Sequence, residues 1–170
     1  MKKTIVILAA IFICVAATAQ NDLKGNWSFS RSVMGVSITD LMSFDSDLSG
    51  NVEKQFNIDF DMDAMGLKMS GEIECSMKGT FELDDNRLTI KWDPETVTQK
   101  TLKPIECYYK GKPAPEEIKQ KMEDMEKSIT DSIKDINEVT VFELKIQKNK
   151  LILSDRNGDG KKNSMTYTRR

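Results

Sequence analysis

The 170-residue sequence contains no histidine, three cysteines and no surplus of positive charge, and each shortage removes a class of function. Without an imidazole there is no Ser-His-Asp or Cys-His catalysis and no HExxH zinc site, because each depends on a group that titrates near neutrality. With 25 basic against 27 acidic side chains, the chain lacks the cationic excess that nucleic-acid binding draws on through counterion release. A Walker loop and a GxGxxG turn are also missing, and the glycines fall at bends and hairpins. The acidic residues mostly alternate outward from apolar positions, so no pair of carboxylates converges for acid-base work. These absences argue against an enzyme, against a bound cofactor and against nucleic acid as the main partner.

What is present begins with a leader. Met1-Lys2-Lys3 is a positive start, Ile5 to Ala17 is a short apolar run, and Ala17-Thr18-Ala19 offers small residues where a signal peptidase reads. This pattern predicts a signal peptide over residues 1–19, a mature domain over 20–170, and export to the periplasm or beyond the cell. The apolar run falls short of the roughly 20 residues that cross a bilayer, so no transmembrane segment is expected after its removal. Cys14 follows Ile13 inside that run, which does not suit lipidation, and it leaves with the leader. Cys75 and Cys107 remain as an even pair in an oxidising space. They predict a disulfide closing a loop of about 30 residues and worth about 3 kcal/mol, with two buried thiols as the alternative.

The mature chain reads as β structure with one helical interruption. Trp27, Phe29 and Val33 share a face opposite Asn26, Ser28, Ser30 and Ser32, and Phe56, Ile58, Phe60 and Met62 alternate with Asn57, Asp59, Asp61 and Asp63. The longest alternation places Met69, Gly71, Ile73, Cys75, Met77, Gly79, Phe81 and Leu83 on one face, with Gly71 and Gly79 as bend points that leave room inside. Leu88, Ile90 and Trp92 follow a turn, and Pro94 is expected to end that strand by removing a ladder donor. Further segments run from Val97 to about Leu102 and through Ile105, Cys107 and Tyr109. Pro113-Ala114-Pro115 then changes the period: Ile118, Met122, Met125, Ile129, Ile133 and Ile136 form one apolar stripe, predicting a helix over 115–136. That helix serves either as a lid or partner-binding element or, more simply, packs on the barrel. Three more strands follow, for a total of eight or nine in one domain without internal repeats.

Two acidic clusters invite a metal reading and are better explained without one. Asp155 to Gly160 resembles the start of a calcium loop, but position 12 is Thr166 and the flanks are strands. Asp59, Asp61 and Asp63 lie on one strand face at spacings of about 7 Å, too far apart for one cation to bridge without a bend. No metal site is predicted.

Leu23-Lys24-Gly25-Asn26-Trp27 resembles the Gly-x-Trp opening of lipocalins and the wider calycin group, and Arg169 near the chain end resembles the arginine that crosses that tryptophan. The resemblance is to bacterial lipocalin-like domains in the broad sense, because here the helix precedes the last three strands. It implies an all-β fold: a single antiparallel up-and-down barrel of about eight strands, closed by Trp27 and Arg169. It also implies an exported binding protein. A small hydrophobic molecule would lie among Phe56, Ile58, Phe60, Ile73, Met77, Phe81, Trp92 and Tyr109. The alternative is a non-enzymatic module with a side-chain-filled barrel that contacts another exported protein.

Overall fold

The unbroken alternation from Met69 to Leu83 becomes one long inner wall of a closed β-barrel. The computed structural model describes residues 23–33, 35–64, 66–136, 138–156 and 162–170. The predicted leader with Cys14, and the Asn157-Gly158-Asp159-Gly160 turn, lie outside these residues. The elements are β1 (Gly25–Val33), β2 (Val36–Phe44), β3 (Ser49–Ala64), β4 (Leu67–Asp84), β5 (Arg87–Tyr109) and the two-residue β6 (Lys112–Pro113). After them come α1 (Glu116–Lys134), β7 (Val139–Gln147), β8 (Lys150–Arg156) and β9 (Lys162–Arg169). Each of β1 to β5 pairs with the next, β5 pairs with β7, and β9 returns to β1, so eight antiparallel strands close on themselves. β6 only extends the far end of β5. The helix precedes the last three strands, as its period-3.6 stripe requires.

Trp27 seals one end. Its indole Nε1 donates to the Leu23 carbonyl at 2.8 Å, and the Arg169 guanidinium lies 4.8 Å from its ring. Arg169 Nη2 also donates to the Lys24 carbonyl at 3.1 Å, tying the C-terminal strand to the start of the fold. Such a cation-π contact stabilises by about 0.5–2 kcal/mol. Around this floor Leu23, Met42, Val52, Met77, Leu88, Ile90 and Leu151 are fully buried, and Phe44 meets Phe81 edge to face at 5.0 Å.

Three sequence expectations need correction. Pro94 does not end a strand: β5 runs on to Tyr109 as one element of 23 residues. Its register against β4 shifts from Lys78↔Asp93 to Ser76↔Thr98, so Pro94 sits inside a bulge where no ladder donor is needed. Thr96 fills part of the gap, its hydroxyl accepting from the Lys78 backbone N–H at 2.9 Å. Pro104 lies at a second irregularity, opposite Gly71.

The two inward glycines do not leave empty space either. A Cβ on Gly79 would stand 2.5 Å from the Lys91 carbonyl oxygen, and one on Gly71 would stand 2.8 Å from Ile105, so both positions are filled by the close approach of β5.

The predicted disulfide is absent: Cys75 and Cys107 are both free thiols. Cys75 is registered with Gln99, whereas Cys107 is registered with Met69, six residues further along β4. That separation is about 20 Å along the strand, far beyond the roughly 7 Å between Cα atoms that a disulfide spans. Burial, with a smaller push from Glu74, raises the Cys75 thiol above its ordinary pKa.

The helix follows the packing alternative. Glu116 and Glu117 occupy its first turn and Lys134 its last, complementing the helix dipole. Ile133 is buried, and Met122, Met125, Ile129 and Ile136 pack partly buried against the barrel core along β5. Thr130 also meets Gln99 through a side-chain hydrogen bond. Among the described residues, no helix is long and apolar enough to cross a membrane.

Candidate ligand-binding site

At the end opposite Trp27 the barrel is less complete. β3, β4 and β5 are 16, 18 and 23 residues long, whereas β1, β2, β7, β8 and β9 have nine or fewer. β7 engages only Arg87 to Lys91 of β5, so the remainder of that edge carries α1 instead of a strand. This leaves a mouth bounded by the ends of β1, β2, β8 and β9 on one side and by the helix on the other.

The inner face there is neither sealed nor wholly apolar. Phe29 is registered with Asp40, Asp40 with Phe56, and Phe56 with Cys75, which places all four on one inward layer. Phe29, Ile38, Phe56 and Met165 face inward yet stay partly exposed. Asp40 is 6% exposed and charged, a placement that needs partners. The Tyr167 hydroxyl donates to Asp40 Oδ2 at 2.9 Å, and Lys54 Nζ lies 3.2 Å from the same oxygen. Lys54 also sits 4.8 Å from the Phe56 ring centre, and the Tyr167 ring tilts against Phe29 at 6.0 Å. Asp40 Oδ1 has no hydrogen-bond partner. Burial pushes the Asp40 carboxyl above its usual range while Lys54, Tyr167 and Arg31 pull it back. Burial, followed by the Asp40 charge, holds the Tyr167 hydroxyl well above its ordinary value.

A concavity lies between α1 and the far half of β5. This half-open cleft of about 440 Å³ is lined by Pro104, Ile105, Cys107, Tyr108, Pro113 and Met122, with Lys119, Glu123 and Glu126 at its polar side. Its size falls within the range of small-molecule sites.

The eight residues proposed from sequence do not form one site. Met77, Phe81 and Trp92 belong to the buried floor region, and Phe81 packs there on Phe44. Ile58, Phe60 and Ile73 are buried beyond the Phe56 layer, farther from Trp27, with Ile58 directly opposite Ile73. Phe56 borders the polar cluster. Tyr109 stands apart at the far end of β5, opposite Leu67 and 39% exposed.

The sequence reading missed Asp40, Lys54 and Tyr167 as a group. Their signal was charge at an inward position: Asp40 interrupts the series Ile38, Met42, Phe44, and Lys54 interrupts Val52, Phe56, Ile58. Among the described residues no group of three or more acidic, cysteine or histidine side chains is placed to hold a metal ion. Compared with protein-family models and with curated proteins, the chain matches none of them.

Proposed function

We propose that this chain is an exported, lipocalin-like binding protein that holds a small hydrophobic molecule in the mouth half of its barrel. The closed eight-stranded barrel is compatible with such a module. The observation that carries the reading is the partial exposure of inward-facing Phe29, Ile38, Phe56 and Met165 beside a sealed floor. Apolar side chains that line an interior and still meet solvent offer surface that a ligand would cover, at about 25 cal/mol per Å² removed from water. The kinship rests on the Gly25-x-Trp27 opening and the Arg169 contact across it. Export rests on the leader pattern, and a non-catalytic role on the lack of histidine. The second reading, a module contacting another exported protein, is favoured by the cleft beside α1 and by exposed Leu102 and Tyr108 on β5.

Native mass spectrometry of the protein purified from its own cells separates the two. A retained small molecule, released on denaturation, is the expected result. A bare chain that gives no saturable binding of a neutral apolar dye overturns the ligand reading, and a stoichiometric protein partner in its place establishes the second.

A further inference from the structure

The interior cluster is more than a purely hydrocarbon ligand needs. A buried carboxylate with one oxygen doubly engaged and the other unpartnered is costly, and a side chain only 9% exposed has little bulk water to compensate it. Deepening the binding reading above, and resting on it, we propose that Asp40 anchors the hydroxyl head of an uncharged amphiphile inside the barrel. The chemistry narrows the class. Asp40 Oδ1 requires a donor, which a carboxylate ligand lacks and would meet with like charge.

An ammonium head would donate, but the surroundings already carry two cations to one anion: Lys54 at 3.2 Å, and Arg31, which faces inward opposite Ile38 and acts electrostatically on Asp40. A third positive charge would be repelled. A hydroxyl donates to Oδ1 and accepts from the Lys54 ammonium, which carries three N–H groups, one of them engaged with Oδ2. Its chain would lie against Phe29, Ile38 and Phe56, the partly exposed inward side chains that flank the cluster.

The test uses the mature chain loaded with N-phenyl-1-naphthylamine, displaced at neutral pH by 1-decanol, decanoate or decylamine, which share a chain and differ in head. Decanol should compete about tenfold better than either charged analogue, the weight of one hydrogen bond to a charged group. In Asp40→Asn the two cations lose their counter-charge, and the order should invert in favour of decanoate. Equal displacement by all three, or a wild-type preference for decanoate or decylamine, overturns the anchor and leaves water as the partner of Oδ1. Because the wild-type series decides alone, misfolding of Asp40→Asn does not rescue the proposal. Failure of the dye to bind at all is a different result: it removes the binding reading, and the anchor with it.

Discussion

The two ends of the barrel are written in the same two-residue rhythm and finish differently. Near Trp27 the strands pair on both sides around the ring, and Leu23, Met42, Leu88, Ile90 and Leu151 are sealed. Toward the mouth, β3 to β5 outrun their neighbours; there Phe29, Ile38 and Phe56 stay within reach of solvent, while Ile58, Phe60, Met69 and Ile73 on the long strands are buried. An alternating pattern therefore specifies which face turns inward, whereas the elements packed around that face decide whether it is filled or left accessible.

The sharpest way to break this contrast is to delete one large ring from each end. Trp27→Ala should cost about 3–5 kcal/mol in denaturant unfolding, as for a buried aromatic whose site cannot collapse, and Phe56→Ala less than about 2. Equal losses would show the mouth to be packed like the floor. Between the ends stands Tyr167, and Tyr167→Phe should cost about 1–2 kcal/mol at neutral pH by removing the donor to Asp40.

That deficit has a pH signature. The folded state keeps the Tyr167 hydroxyl protonated beyond its ordinary pKa of 10.0, so its contribution is complete below that value and declines as pH rises above it. The gap between wild type and Tyr167→Phe should accordingly narrow in alkaline unfolding curves, and a gap constant up to the alkaline limb would contradict the buried pairing. The smallest effect concerns the cysteines. Reductant should leave the melting temperature unchanged, and a thiol reagent should label partly exposed Cys107 before buried Cys75. A reductant-sensitive transition would restore the disulfide.

Much of the fold was legible because the alternation is local. Met69 to Leu83 declares its inward face residue by residue, the Ile118 to Ile136 stripe declares a helix, and Trp27 and Arg169 mark the two termini that meet. What escaped depends on register between strands distant in sequence. Two bulges in β5 set Cys107 against Met69 and Cys75 against Gln99, and nothing local to either cysteine encodes that offset. A further irregularity, opposite Ser76 and Lys78 of β4, carried β5 through Pro94. Asp40, Lys54 and Tyr167 were each visible as a single residue, but they converge only when β9 closes onto β1, a pairing with the longest possible sequence separation. The glycines misled in the opposite direction: absence of a side chain suggested a vacancy, and β5 occupies it.

The uneven strand lengths carry one last consequence. From Asp93 to Glu106 the outer edge of β5 has no strand beside it among the described residues, which in a bare sheet would be a template for another chain to add on. Here that border is interrupted by Pro94 and Pro104, studded with Lys100 and Lys103, and accompanied by α1. The helix and the two prolines thus make that border a poor template for the strand of a twin molecule.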